Sequence, residues 1–216
     1  MKNNITELVF ILDRSGSMAG LESDTIGGFN GMLTKQRGQD GRCYVSTVLF
    51  DDRSFVLHDR LPLERVEPLT DRDYTVGGCT ALLDALGGAI RRISDIHRYA
   101  RPEDVPEHTL FVVITDGMEN ASCRYRAEQV KAMVRARQQR GWEFLFLGAN
   151  INAVETARHY GIRPDRAVNY HADEQGTRVA YDTVAAAVCQ MRSSAPLEAD
   201  WCDSIRQDFS SRKSRR

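Results

Sequence analysis

Three short, unbroken apolar runs limit what this chain can fold into: Leu8-Val9-Phe10-Ile11-Leu12, Leu110-Phe111-Val112-Val113-Ile114 and Phe144-Leu145-Phe146-Leu147. A strand with one wet face alternates apolar and polar residues, so a run without alternation predicts a strand covered on both faces. Helical spacing follows each run. Ile26, Phe29, Met32 and Leu33 share a face within 22–37, with Gly38 and Gly41 bracketing its end. Leu82, Leu83, Leu86, Ile90 and Ile93 line a second helix, and Val130, Met133 and Val134 a third over 124–140. A short helix is predicted over 152–160 and a last one over 175–193. Tyr44 to Phe50 and Ser54 to Leu61 read as strands joined by Asp51-Asp52-Arg53, a link short enough for a hairpin, which makes the second an antiparallel edge. Ala167 to Tyr170 supplies a sixth strand. Strands alternating with helices imply right-handed crossovers and a doubly wound α/β domain, its six-stranded sheet mostly parallel with helices on both faces.

Composition excludes several functions. Among 216 residues, 29 Lys and Arg nearly balance 30 Asp and Glu, and a net charge of −1 gives no field to hold nucleic acid or an anionic membrane. The apolar runs fall far short of the ~20 residues a membrane helix needs, and no signal peptide is visible before Leu8. The five cysteines (Cys43, Cys79, Cys123, Cys189, Cys202) form no C-x-x-C pair, which argues against a disulfide framework or a zinc site and for a reducing, cytoplasmic setting.

In doubly wound sheets the ligand lies beyond the carboxyl ends of the strands, where strand order reverses. Asp13-Arg14-Ser15-Gly16-Ser17 follows the first strand directly, Thr115-Asp116-Gly117 follows the fourth, and Gly78-Cys79-Thr80 precedes the middle helix. Two carboxylates and three hydroxyls are thereby expected at one edge. An all-oxygen set suits a hard cation such as Mg2+, with Mn2+ the alternative, and disfavours zinc or copper. Gly16 and Gly117 are expected to permit tight turns. Ser15, Ser17 and Thr80 also lie near helix starts, and any one of them alone is explained by capping; three loops with the required donors are not.

This pattern, Asp13-x-Ser15-x-Ser17, then Thr80, then Asp116, resembles the metal-ion-dependent adhesion site of von Willebrand factor type A (vWA) domains, over about residues 5–193, with 194–216 an extension ending in a basic tail. The resemblance implies a Rossmann-like vWA fold and Asp13, Ser15, Ser17, Thr80 and Asp116 as the metal ligands. It also implies an Asp or Glu of a partner protein completing the coordination shell, and, in some adhesion members, a last helix that slides. The compact form resembles stand-alone bacterial members.

Two other functions remain to be weighed. A metal-assisted phosphohydrolase would use Asp13 as nucleophile, but Ser15 stands where such chemistry needs a second Asp as general acid. An adaptor would bind through the basic helix 124–140, where six Arg and Lys face only Glu128; a solvated face is the simpler reading. No phosphate-binding glycine loop and no nucleophile elbow occurs, and the five histidines have no ligand spacing. Cys79 is expected to be a small buried filler, Glu119 and Asn120 caps for the helix after them, and the final dozen residues a tail.

Overall fold

The computed structural model describes residues 4–213. Six strands form one sheet: β1 (Ile5–Asp13), β2 (Arg42–Phe50), β3 (Ser54–Pro62), β4 (His108–Thr115), β5 (Glu143–Gly148) and β6 (Ala167–Asn169). Their order is β3-β2-β1-β4-β5-β6, with β3 antiparallel to β2 and every other pair parallel. The chain winds outward from β1 to β3, then returns to β1's other side as β4. The reversal between β1 and β4 opens a crevice at their carboxyl ends, where Leu12 pairs with Ile114 and the two chains part.

Six helices cover the sheet: α1 (Glu22–Arg37), α2 (Leu82–Tyr99), α3 (Ala127–Gln138), α4 (Ala153–His159), α5 (Glu174–Arg192) and α6 (Asp203–Lys213). All nine residues of β1 are buried. Leu8, Phe10 and Leu12 face Phe29, Met32 and the small residues of α5, while Val9 and Ile11 face Leu82, Leu86 and Ile90 of α2. Unbroken apolar runs are thus explained by cover on both sides.

Several boundaries differ from expectation for local reasons. Asp84 in the first turn of α2 accepts backbone N–H bonds from Cys123, Arg124 and Tyr125, holding that stretch out of the helix and delaying α3 to Ala127. The tail is a correction over 205–213, which instead form most of α6, while 214–216 lie outside the described residues. Cys202 and Ile205 reach the core, the Phe209 ring stacks on His171 at 4.5 Å, and Arg212 pairs with Asp173 and Asp208. Trp201 fastens the approach to α6 by donating its indole N–H to the Asp165 carbonyl at 2.8 Å.

At the far end of α5, Arg192 is buried and donates to four carbonyls, those of Gln36 (2.6 Å), Gln39 (3.2 Å), Asp40 (3.3 Å) and Gly41 (3.1 Å), which close α1 and lead into β2. Within β1, fully buried Glu7 accepts from Arg60 at 2.8 Å and lies 3.4 Å from His97. No helix among the described residues is long and apolar enough to cross a membrane. All five cysteines are free.

Candidate metal centre

Asp13 ends β1 and Asp116 follows β4, so the parting of these strands sets the two carboxylates across the crevice. Asp13 is 1% exposed and both its oxygens are engaged: the Ser15 N–H donates to Oδ1 at 2.7 Å and the Thr115 hydroxyl to Oδ2. The Tyr74 hydroxyl donates to the Asp13 backbone carbonyl, holding the end of β1 from below. Asp116 is 3% exposed; Ser17 donates to its Oδ1 at 2.5 Å, and its Oδ2 is buried with no hydrogen-bond partner. Ser15 and Ser17 hydroxyl oxygens lie 3.1 Å apart.

The hydroxyls are not caps. Ser15 opens a short 3-10 turn at Gly16–Met18 without capping it, and Ala81, not Thr80, occupies the N-cap of α2. They converge instead. A Cβ added at Gly117 would lie 2.9 Å from Thr80 Oγ1, 3.1 Å from Ser17 Oγ and 3.7 Å from Ser15 Oγ, so three oxygens surround one small space beside Asp116. Gly117 is required for that space rather than for a turn: neither it nor Gly16 has positive φ, and the left-handed position is Gly78 at +73°. Gly117→Ala is expected to abolish divalent-ion binding with the fold retained, since the added methyl occupies the space the oxygens enclose. Calorimetric titration with Mg2+ checks this; an unchanged affinity would show that the hydroxyls act elsewhere.

Backbone contacts position the third loop. Thr80 donates its N–H to Asn120 Oδ1 at 2.9 Å and accepts at its carbonyl from Asn120 (3.0 Å) and Ala121 (3.3 Å). Glu119 accepts from the Leu83 N–H at 2.8 Å. Glu119 and Asn120 therefore fasten the loop after β4 to the start of α2, not to α3 as expected. Cys79 is a second correction: it is exposed, because the turn at Gly78 buries Thr80 and leaves its neighbour in solvent. Tyr74, Thr115, Asn120 and Glu119 are the residues that support the site. Thr115, Glu119 and Asn120 carried a signal as neighbours of Asp116 along the chain, and Tyr74 carried none.

The donors fit a hard divalent cation. Among the described residues no three His, Cys, Asp or Glu side chains gather as a metal group, so the set is two carboxylates and three hydroxyls, as oxygen-seeking ions prefer. Burial holds both carboxyls above their ordinary range, partly offset by hydrogen bonds from Ser15 and Thr115 to Asp13 and from Ser17 to Asp116. A carboxyl raised in the folded state contributes stability below its unfolded pKa, and that contribution is lost as pH rises through the folded value. Metal-free wild type is expected to lose stability relative to Asp13→Asn as pH rises from the ordinary carboxylate value upward, with a divalent cation reversing the loss at neutral pH. Urea unfolding of both proteins at stepped pH is the check, and a flat difference would remove the assignment.

No protein-family model matches this sequence, and no curated protein matches it. Solved structures do. The von Willebrand factor domain of the type V pili tip protein Mfa5 from Porphyromonas gingivalis aligns over 85% of this chain and 94% of its own, with TM-score 0.59 and 10% identity. The chain has the von Willebrand factor type A fold. The vWA fold is shared with manganese-loaded TRAP protein of Plasmodium vivax (18% identity, TM-score 0.57, 83% of this chain and 73% of that one). It is shared too with proximal thread matrix protein 1 of the mussel byssus, in a structure whose metal-ion-dependent adhesion site holds zinc (15% identity, TM-score 0.57, 85% of this chain). This chain spans 46% of the mussel protein's length. Within the vWA fold, the carboxyl edge at β1 and β4 is where Asp13, Ser15, Ser17, Thr80 and Asp116 gather.

Proposed function

We propose that this chain is a non-enzymatic, divalent-metal-dependent protein-binding module. Asp13, Ser15, Ser17, Thr80 and Asp116 hold Mg2+, or Mn2+ in its place, and an Asp or Glu of a partner protein completes the site. The observation that carries this reading is the convergence of three hydroxyls on the space at Gly117, beside an Asp116 oxygen buried without a partner. Such an oxygen is costly unless a cation or donor meets it. A bound cation would neutralise the two carboxylates and give an incoming carboxylate an electrostatic anchor, strengthened by the partly desolvated crevice. The chain's own groups supply the rest. Thr115 and the Ser15 N–H orient Asp13, Ser17 orients Asp116, and the Asn120–Thr80 contacts keep the third loop in register.

The solved neighbours lend support through zinc in the mussel protein and manganese in TRAP. The module occupies residues 5–193, with 194–216 as its extension. Five free cysteines accord with a reducing, cytoplasmic compartment. Neither nucleic acid nor a membrane enters this reading.

Affinity capture from native lysate tests it, run with Mg2+, with chelator and with Asp116→Ala. A partner retained only by metal-loaded wild type is the expected result. A partner retained under all three conditions would move function to another surface. Hydrolysis of a generic phosphate ester is not expected, because both Asp13 oxygens are already hydrogen-bonded and its side chain is buried. Robust turnover lost in Asp13→Ala would overturn the non-enzymatic reading.

A further inference from the structure

The opposite edge of the sheet carries a second concave site. The last turns of α2 and α3, the loop entering β4 and the residue before β5 enclose a cavity of about 580 Å³, within the roughly 300–1,000 Å³ of small-molecule pockets. Three guanidinium groups line it, those of Arg98, Arg137 and Arg140. None of the three makes an ion pair among the described residues, whereas neighbouring Arg92 and Arg101 pair with Asp59 and Asp104.

Arg137 is held in place. Its Cζ lies 5.4 Å from the centre of the Trp142 ring, and that ring is stacked on Phe111 at 5.5 Å and met edge-on by His97 at 5.2 Å. Resting on an aromatic face fixes the guanidinium plane while leaving N–H edges to bond a ligand. Burial and the neighbouring Arg140 disfavour its charge and Asp95 offsets them in part, leaving a cost that an anion would relieve. His97, on the same wall, lies 3.4 Å from buried Glu7, which Arg60 also engages.

Two carboxylates, Asp95 and Glu107, line the same cavity. Glu107 lies 3.7 Å from His108, and Asp95 is exposed. Three guanidinium groups outnumber them, and carboxylates accept from hydroxyl groups as readily as they repel anions. A bare anion would use only half of this lining; a molecule bearing phosphate at one end and hydroxyls at the other would use all of it.

We infer that this cavity binds a phosphorylated, hydroxyl-bearing small molecule of the sugar-phosphate or nucleotide class. Arg137 and Arg140 take the phosphate, and Asp95 accepts from hydroxyls. The site lies across the sheet from the metal centre and uses none of its residues.

Isothermal titration in chelator-containing buffer tests this with AMP, ribose 5-phosphate and inorganic pyrophosphate as probes, and with a polyglutamate peptide as competitor. Saturable binding of AMP or ribose 5-phosphate is expected, weakened about tenfold or more by Arg140→Gln, whose side chain is exposed. Arg137→Gln is expected to act likewise, and Asp116→Ala to leave binding unchanged. Absence of saturation by every probe at millimolar concentration would overturn the inference. So would affinity indifferent to Arg140→Gln, or polyglutamate binding where the phosphates do not, which would mark an acidic protein surface as the partner.

Discussion

Mg2+ is expected to raise the melting temperature of the wild-type protein, and Asp116→Asn to abolish that rise. The substitution keeps the shape of the side chain and an acceptor for Ser17, but removes one of only two carboxylate charges at the centre. A ligand present at a hundred times its Kd stabilises the folded state by about 2.7 kcal/mol. In a domain of this size that is a rise of about 5–10 °C in Tm. The variant should melt at one temperature with Mg2+ or with chelator. In chelator it should match or exceed wild type, because a neutral amide does not carry the desolvation cost of a buried carboxylate. Scanning calorimetry with and without Mg2+ decides the matter, and a Mg2+ shift that survives in Asp116→Asn would place the cation elsewhere.

Arg192→Ala should destabilise the fold by about 3 kcal/mol, lowering Tm by roughly 6–12 °C irrespective of metal. The side chain is 4% exposed and its guanidinium serves the carbonyls of Gln36, Gln39, Asp40 and Gly41 together. Hydrogen bonds from a charged donor exceed those of a neutral one, and truncation removes four of them at once, the bond to Gln36 fully buried. Arg192→Lys should recover only part of the loss, since one ammonium cannot span four acceptors set around a planar fork. Equilibrium unfolding in urea measures both, and a cost below 1 kcal/mol for alanine would mean that water replaces the guanidinium.

Much of this architecture was legible in the sequence because burial on both faces writes itself as unbroken apolar runs. Leu8 to Leu12 and Leu110 to Ile114 announced β1 and β4, and with them the crevice. Asp13, Ser15, Ser17 and Asp116 were legible for a related reason: each ends a strand or lies within four residues of one, so position along the chain fixes position in space. Residues that act across the chain left no such mark. Tyr74 meets Asp13 across 61 positions and Asn120 meets Thr80 across 40, separations that no local pattern encodes. Helix α6 was hidden by its own composition. Cys202, Ile205 and Phe209 repeat at helical spacing, but Arg, Asp, Gln and Ser between them read as a solvated tail.

The fastening of α5 at both ends has a bearing on how this domain could answer a partner. Asp173 caps its first turn, accepting from the Gly176 N–H at 2.8 Å, and is gripped by Arg212 of α6. Arg192 anchors the last turn to the close of α1. Sliding this helix along its axis would break both moorings together, and every bit of that work would come out of the partner's binding energy. On the proposed binding reading, an α5 fastened at both ends favours a single shape. Such a domain would meet its client like a socket, graded by ion supply alone, with little room for a second, low-affinity posture.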